Sequence, residues 1–478
     1  MALNPSPTFQ LQPAPEQVAL ESNYITNFDF LNQYLPDTYE KEFERYGNRS
    51  VASFLRMVGA EMPSNSDMIK WAEQGRLHTK YVEVGIDPEA IVGSDIVIFQ
   101  VNDAVTNSIA VREGQTVLVS QNDGSGVNKG VVTATDLAND RFTVAFYEGG
   151  GLVAISGTPA FTNSDVTIMI YGSEFAKGTN GMDGSLEAED EIFDNKPIII
   201  KDKYAVSGSD MAQIGWVEVT TENGATGYLW YLKSEHETRL RFEDYLETAM
   251  IEAVPAEAGS GAIGLASPLT GSEGVFHAVE DRGNVFGGGN PTTLAEFDSI
   301  IQRLDKQGSI EENVLFVNRQ FSFDIDDMLA AQNSYGAGGT SYGLFDNDEQ
   351  MALNLGFSGF RRGYDFYKTD WKYLNDPTMR GGLALGAVGV GGSGSINGLL
   401  VPAGSTSVYD QILGKNAKRP FLHVRYRASE TEDRRYKTWI TGSAGGAMNS
   451  DLDAMEVHFL SERAVCTLGA NNFVLFED

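Results

Sequence analysis

The sequence predicts an α+β fold in which a small all-β module is inserted ahead of one long helix. Two observations lead to this prediction: short apolar runs separated by glycine-rich turns at residues 91–172, and a helical repeat of apolar residues at 229–253. The first pattern is typical of a β module and the second of an amphipathic helix. At 478 residues, the chain is long enough for several domains.

The predicted β module contains five apolar runs, each short enough to be one strand. They are Ile96–Phe99, Thr116–Val119, Gly130–Thr133, Phe142–Phe146 and Val166–Tyr171. Asn-Asp-Gly, Gly-Ser-Gly and Gly-Gly-Gly sequences between them supply turns. Because such a module has its own core, we expect residues 91–172 to fold as a unit inserted into a larger domain.

The long helix is predicted from apolar and small residues that recur mostly every three or four positions, with charged residues between them. Gly227 precedes the helix and Pro255 ends it. We expect the recurring residues to form its buried face, so that a charge at Leu240 would prevent folding. They are Leu229, Leu232, His236, Leu240, Leu246, Ala249 and Ala253.

Further elements are predicted on both sides of this helix. Residues 39–57 carry a helical pattern, as do Leu294–Leu304, closed by Gly308, and Phe321–Ala331. The predicted strands are Pro197–Ile200, Val314–Val317, Phe421–Arg427, Met455–Leu460 and Phe473–Phe476. A chain that ends inside a strand is expected to complete a sheet begun earlier in the sequence.

Residues 1–35 are predicted to be an extended arm, because prolines interrupt a Gln/Asn/Ser-rich stretch that has little periodicity. The arm is either a flexible tail or a segment docked on another surface. Docking is favoured, since a free tail rarely carries so many large apolar groups: Phe9, Leu11, Val18, Tyr24, Phe28, Phe30 and Leu31.

Net charge and cysteine content limit the classes of protein to which the chain can belong. The net charge of −31 weighs against a sequence-independent nucleic-acid binder, which needs lysine and arginine to neutralise phosphates. An acidic wall that encloses nucleic acid remains compatible with this charge.

Cys466 is the single cysteine, so no disulfide within the chain is expected. We find neither a secretory signal nor an apolar stretch of membrane-spanning length, and we expect a product of a reducing cytoplasm.

Two short motifs suggest catalysis or cofactor binding, but their surroundings do not support either. Gly339-Thr-Ser341-Tyr-Gly343 matches the nucleophile elbow of serine hydrolases, which requires a preceding strand and a following helix that the sequence does not predict here. Gly389-Val-Gly391-Gly-Ser-Gly394 matches a dinucleotide loop, again without a helix after it. We therefore expect no catalytic residue and no cofactor.

Candidate metal ligands are dispersed along the chain. The five histidines, His78, His236, His277, His423 and His458, show no metal-site spacing. Acidic groups at Asp324, Asp326 and Asp327 and at Asp346 and Asp348 lack the glycine and spaced glutamate of a calcium loop. We expect no metal site, with solvated acidic loops as the simplest interpretation and calcium binding as the alternative.

Two segments concentrate cations and aromatic residues in this otherwise acidic chain: Phe360–Tyr373 and Lys415–Lys437. Arginine beside aromatic rings can stack on nucleic-acid bases. In an acidic protein that binds copies of itself, complementary patches between copies are the favoured explanation. A solvated strand and nucleic-acid binding remain the alternatives.

Three stretches of the sequence resemble a known family. Leu35–Asn48 (LPDTYEKEFERYGN), Ser53–Pro63 (SFLRMVGAEMP) and Glu73–His78 (EQGRLH) are similar to the major capsid proteins of crAss-like phages. The order of predicted elements resembles the Hong Kong 97 type of tailed-phage capsid protein. The β module departs from the minimal pattern of that family and is interpreted as an added decoration.

The resemblance implies a division of the chain. Residues 1–65 would form the N-terminal arm and first helices, and 66–195 the extended-loop region that contains the β module. Residues 196–275 would form the peripheral domain with the long spine helix, 276–445 the axial domain, and 446–478 a return to the peripheral sheet.

The resemblance also implies a structural, non-enzymatic function: self-assembly of hexamers and pentamers into an icosahedral shell around packaged double-stranded DNA. The implied partners are other copies of the chain, portal, scaffolding and decoration proteins, and the nearby DNA, with no membrane. The implied location is the virion, after assembly in the bacterial cytoplasm. The alternatives are an encapsulin-like nanocompartment shell protein and a β-rich adhesin or glycan-binding protein.

Overall fold

The computed structural model describes residues 60–75, 80–86, 95–101, 109–121, 126–151, 166–184, 190–213, 218–220, 226–332, 359–376, 378–380, 396–410, 415–446 and 448–477. The chain divides into two compact units. The main unit runs to Trp71 and resumes at Asp194, and the inserted unit is Ala72–Phe193. The arm expected at 1–35 and the helix expected at 39–57 lie outside the described residues.

The strands are numbered in chain order. They are β1 (Ala60–Ser64), β2 (Ile69–Gln74), β3 (Lys80–Ile86), β4 (Ile96–Gln100), β5 (Gln115–Gln121), β6 (Val127–Asp136), β7 (Arg141–Phe146), β8 (Val166–Ser173), β9 (Asp190–Asn195), β10 (Ile198–Ser207), β11 (Glu218–Thr220), β12 (Thr226–Tyr228), β13 (Asn284–Gly287), β14 (Glu312–Val317), β15 (Gly359–Arg362), β16 (Tyr364–Asp370), β17 (Ile396–Pro402), β18 (Ser405–Asp410), β19 (Lys415–Pro420), β20 (Leu422–Arg427), β21 (Lys437–Gly442), β22 (Ala454–Thr467) and β23 (Val474–Glu477).

The helices are numbered in the same way. They are α1 (Gly208–Gln213), α2 (Leu229–Glu252), α3 (Val275–Arg282), α4 (Leu294–Gln307), α5 (Arg319–Gln332) and α6 (Lys372–Asn375). A short 3₁₀ turn follows at Ala470–Asn472. None of the helices in the described part of the chain is long and apolar enough to cross a membrane.

The inserted unit contains a closed barrel with the strand order β3-β4-β7-β6-β5-β8. Alternate side chains of each strand point inward, as the period of two requires. Phe99 of β4 and Phe142 of β7 are fully buried, with ring centroids 5.9 Å apart. The five predicted runs all lie on strands of this barrel, so the predicted β character is confirmed.

The barrel begins earlier than residue 91, because β3 supplies one of its strands. The sequence pattern of β3 does not predict this strand. Its pairing with β8 shifts register between Tyr81 and Val84, and Glu83 adopts a left-handed backbone with φ 59°. The irregularity breaks the alternation of apolar and polar residues by which a strand is recognised.

The main unit contains a five-stranded sheet in the order β1-β20-β22-β10, with β21 also paired to β22. Strand β1 runs parallel to β20, and β22 runs antiparallel to β10, β20 and β21. Helix α2 packs on one face, where Phe242 and Leu246 contact Met455, Val457 and Phe459 of β22. We call this face of the sheet the helix face.

Helix α2 has nearly the predicted bounds, but its predicted buried face is wrong at Leu240. That side chain is 36% exposed, whereas Phe242 is fully buried and Met250 is 1% exposed. Residues two positions apart lie about 200° apart around a helix, so burial of Phe242 turns Leu240 to the opposite side. The predicted face is correct at Leu246, which contacts β22, but Phe242 faces the sheet in place of Leu240.

The second sheet of the main unit has six strands in the order β13-β23-β17-β14-β16-β15. Helices α4 and α5 cover one face through Phe297 and Phe321, which join the same core as Leu315. On α4, the Thr293 side chain and Glu296 form a reciprocal N-terminal cap, and Gly308 ends the helix at φ 75°. The helices predicted at 294–304 and 321–331 are confirmed.

Strand pairing divides the C-terminal region differently from the expected boundaries. Strand β22 pairs with β10 along ten residues, as expected for a return to the first sheet. Strand β23, however, joins β13 and β17 in the six-stranded sheet. Strands β20 and β21, expected in the region 276–445, belong to the five-stranded sheet. Alternation identifies a strand but carries no information about which strand lies beside it.

Candidate functional site

Several residues singled out by the sequence lie outside the described part of the chain. They are Ser341 with its surrounding motif, the loop Gly389–Gly394, Asp346, Asp348 and His78. The expectation that these residues form no catalytic, cofactor or metal site therefore stays a prediction.

The four remaining histidines occupy separate places. His423 is buried and its Nδ1 lies 3.2 Å from the carbonyl oxygen of Pro420. Burial, with a contribution from the nearby Arg425 charge, lowers the pKa of His423 to about 4. His236 lies beside Arg239 on α2, and His277 lies 3.9 Å from Glu273 on α3. They are not brought together as ligands of one ion.

The acidic residues near the start of α5 bind neighbouring side chains. Asp324 accepts hydrogen bonds from Asn290 at 2.7 Å and from Gln320 at 2.9 Å. Asp326 forms an ion pair of 2.5 Å with Lys368, with both side chains nearly buried. Among the described residues, no group of three or more His, Cys, Asp or Glu side chains is placed to hold a metal ion.

The first cation–aromatic segment, Phe360–Tyr373, turns most of its aromatic rings inward, although Tyr367 is 53% exposed. Phe366 and Trp371 are 2% and 3% exposed, so they pack in the core and present no face to a partner. Arg362 pairs with Asp298, and Arg361 pairs with Asp365 at 3.1 Å. Most of the charge and ring surface on which the subunit-contact interpretation of this segment depended is therefore used within the chain.

The second segment, Lys415–Lys437, lies on the five-stranded sheet and contributes to a network of ion pairs. On the helix face, Glu61 of β1 pairs with Arg435 and lies 3.5 Å from Arg463 of β22. The Arg463 side chain is 8% exposed and also donates to the Arg435 carbonyl oxygen. These contacts connect β1 to β22 across the intervening strand β20.

A matching cluster lies on the opposite face, because neighbouring residues of a strand point to opposite sides. Glu462 forms ion pairs with Arg434 at 2.9 Å and with Arg427 at 3.5 Å, and Arg427 also pairs with Asp67. The arginines of this segment thus hold the sheet together from both faces. Among the described residues, they do not form a free basic patch.

A mixed row of side chains remains accessible on the face opposite α2. The indole ring of Trp439 stacks on the His458 imidazole, with centroids 5.0 Å apart, and the ammonium group of Lys437 lies 5.7 Å from the indole centroid. Lys203 of β10 pairs with Glu456 at 3.0 Å and its side chain is 58% exposed. Aromatic rings and charges of both signs on a solvent-accessible surface are common at protein–protein interfaces.

Strand β10 presents a second accessible feature. It pairs with β22 on one side, and no strand among the described residues pairs with its other side. Beside this outer edge, on the helix face, an open groove of about 490 Å³ is lined by Ile200 of β10 and by α2 residues. The α2 residues that line it are Tyr245, Thr248, Ala249, Glu252 and Ala253.

Two polar side chains that join distant parts of the main unit were not found from the sequence. Asn195 donates to the carbonyl oxygens of Glu273 and Val465, at 2.9 and 2.7 Å. Glu252 accepts from the Tyr373 hydroxyl at 2.6 Å and from Arg380 at 2.6 and 2.7 Å. Burial raises the pKa of Tyr373. Their partners are distant in sequence, so no local pattern could have indicated them.

Comparison with known proteins found similarity among solved structures. No family model and no curated protein sequence matches the chain. A chain of Microbacterium phage Oxtober96 is 10% identical, with a TM-score of 0.38 over 95% of this chain and 99% of that chain. A chain from the capsid of an empty GTA particle is 8% identical, with a TM-score of 0.38 over 96% of this chain and 99% of that chain.

A chain from the capsid of the cyanophage P-SCSP1u is 7% identical, with a TM-score of 0.36 over 64% of this chain and 80% of that chain. The similar structures thus come from phages and capsid particles.

Proposed function

We propose that the chain is the major capsid protein of a tailed phage, a structural subunit that assembles into an icosahedral shell around double-stranded DNA. The observation that supports this most is the order of parts. A barrel precedes a 24-residue helix on one sheet, a second sheet with helices follows, and β22 returns to the first sheet. The resemblance of the sequence to the Hong Kong 97-type and crAss-like capsid proteins implies a similar order of parts.

The parts take the following roles in the proposal. The five-stranded sheet and α2 correspond to the peripheral domain and its spine helix, and the six-stranded sheet with α4 and α5 corresponds to the axial domain. The inserted unit corresponds to the extended-loop region, enlarged by the barrel. The residues before β1 correspond to the N-terminal arm.

Charge is consistent with a container wall. The chain carries a net charge of −31, and the described arginines of Lys415–Lys437 are largely engaged in ion pairs within the main unit. Such a wall would repel phosphate and leave packaged DNA free to move. The proposed partners are further copies in hexamers and pentamers, together with portal, scaffolding and decoration proteins. The proposed location is the virion, after assembly in the host cytoplasm.

Electron microscopy of particles purified from host cells tests the proposal. The expected result is closed icosahedral shells in which this chain is the most abundant protein by mass spectrometry. A chain that stays monomeric or forms small oligomers by light scattering, in infected cells as well as alone, would contradict the shell function and favour the adhesin alternative. Closed shells that contain a cargo enzyme and lack a portal would favour the nanocompartment alternative.

A further inference from the structure

Two Asn-Gly pairs in the described part of the chain lie in opposite surroundings. The dipeptide occurs at 180–181, 223–224 and 397–398, and the second of these lies outside the described residues. Asn-Gly readily loses the asparagine amide, because glycine has no Cβ to hinder the approach of its own nitrogen to the asparagine side chain. In a folded protein, the loss also requires that the backbone can turn and that water can reach it.

The first pair, Asn180 and Gly181, lies on the surface between β8 and β9. Residues 174–184 contain no helix or strand, and both members of the pair are exposed. Among the described residues, none accepts a hydrogen bond from the Gly181 amide nitrogen. Apart from its two chain neighbours, no atom lies within 4 Å of the position that a Cβ on Gly181 would occupy. The Gly181 nitrogen is therefore free to turn towards the Asn180 side chain.

The other described pair, Asn397 and Gly398, is held inside the six-stranded sheet on β17. Asn397 is 6% exposed, and its Oδ1 accepts a hydrogen bond from Asn318 Nδ2 at 3.0 Å. Gly398 lies between Val317 of β14 and Phe476 of β23, with which it is paired on its two sides. Both neighbouring strands fix this pair, so its backbone can turn only when the sheet opens.

The reaction at the exposed pair needs only the two residues and water. The Gly181 nitrogen attacks Cγ of Asn180, so that a new C–N bond forms and the bond from Cγ to Nδ2 breaks. The amide leaves as ammonia together with the proton lost from the Gly181 nitrogen. Water then opens the resulting succinimide ring at either carbonyl carbon. One opening gives aspartate, and the other gives isoaspartate, in which the backbone continues through the side-chain carboxyl carbon.

We propose that Asn180 is a site of spontaneous modification in the folded protein, where Gly181 converts it to aspartate and isoaspartate, whereas Asn397 remains an amide. Both products add a negative charge to a segment that already contains Glu174 and Asp183. Isoaspartate also adds one atom to the backbone.

The position of Asn180 limits the effect of this change on folding. The residue lies beyond β8, the last strand of the barrel in the chain, and does not belong to the barrel core. We therefore expect modified chains to keep their fold and to accumulate as more acidic forms. This inference goes beyond the proposed function and does not depend on it. In a shell whose subunits are not replaced, the products would accumulate over the lifetime of the particle.

Peptide mass spectrometry of the full chain tests the inference. Folded protein is kept in mildly alkaline buffer made with heavy-oxygen water, sampled over time and digested at acidic pH, where the reaction is slow. We expect the peptide that contains Asn180 to exchange its amide for a carboxylate with oxygen from the water, in two forms that chromatography separates. The peptide that contains Asn397 should react at least about a hundredfold more slowly, because it depends on rare opening of the sheet.

A matched pair of glycine variants tests the attacking nitrogen. Gly181→Val places a branched side chain beside this nitrogen and should slow the reaction of Asn180 at least about tenfold. Gly149→Val makes the same change at another glycine that has no atom within 4 Å of its Cβ position, and it should leave the rate unchanged. Equal rates in the two variants would exclude attack by Gly181 and overturn the proposal.

Two further outcomes would also overturn it. One is a similar rate at Asn180 and Asn397 in the folded protein. The other is an Asn180 that stays intact in the folded chain but reacts in guanidinium chloride, since the fold would then protect it. Electron microscopy of the same preparations separates this inference from the proposed function. Modified chains that never form shells would disprove the function alone, whereas shells in which Asn180 stays intact would disprove the modification alone.

Discussion

Phe242 of helix α2 packs against Phe459 of strand β22, with ring centroids 5.7 Å apart, and both rings are almost completely buried. The Tyr436 ring lies 5.4 Å from Phe242 and closes the cluster. This aromatic contact, in the middle of the helix, determines which side of α2 faces the five-stranded sheet.

Separate substitutions of one buried and one exposed residue of α2 test this arrangement. Phe242→Ala should lower the free energy of unfolding by about 3–5 kcal/mol, because it removes a ring and leaves a cavity. Phe242→Asp should abolish soluble protein. Leu240→Asp, on the opposite side, should change the free energy by at most about 1 kcal/mol. Urea denaturation of the unassembled subunit measures these differences, and a larger loss at Leu240 would show that the helix is rotated.

We expect Lys368 and Asp326 to stabilise the folded state only when both are present. Lys368 of β16 and Asp326 of α5 are both nearly buried, with side chains 7% and 12% exposed. Lys368→Met removes the cation beside a buried carboxylate and should cost about 3–5 kcal/mol. Adding Asp326→Leu to Lys368→Met should recover most of that loss. A double-mutant cycle by urea denaturation gives the coupling, and purely additive effects would show that the two side chains act independently.

His423 should make stability fall as the pH falls. Its folded pKa of about 4 lies below its ordinary value of 6.5, so between these values the unfolded state binds a proton that the folded state does not. The contribution is complete above about pH 6.5 and is lost progressively down to about pH 4, by about 3 kcal/mol in total. His423→Gln should flatten this part of the stability curve of the unassembled subunit.

The bounds of the barrel predict which deletions the main unit tolerates. Replacing residues 80–173 by a short glycine–serine linker removes every barrel strand together, and the main unit should remain soluble with a cooperative thermal transition. Replacing only 91–172 leaves β3 behind, with the buried residues Val84 and Ile86 deprived of their core. That variant should aggregate. If both behave alike in size-exclusion chromatography, β3 is not part of the barrel's folding unit.

Much of the secondary structure was predictable because it depends on local pattern. The alternation in Phe142–Phe146 and the spacing in Leu294–Leu304 each place apolar groups on one side of one element, and these elements were found. The early start of the barrel was missed because Glu83 lies in a bulge, where alternation fails.

The candidate sites were less predictable than the elements. The clustering of cations in Lys415–Lys437 was visible in the sequence, but their partners Glu61, Asp67 and Glu462 are mostly far away along the chain. The accessible groove became visible only when α2 was placed beside β10. Composition identifies charged and aromatic residues that are able to bind a partner. It does not show which of them already contact other residues of the same chain.

By itself, the sequence determined the α+β composition, the barrel-forming runs, the long helix and the acidic charge, because each follows from the order of neighbouring residues. Tertiary structure decided that Phe242 and not Leu240 faces the sheet, and that β22 and β23 enter different sheets. It also left the edge of β10 open among the described strands. These features depend on contacts between residues far apart in the chain, and local periodicity does not encode which distant surface an element meets.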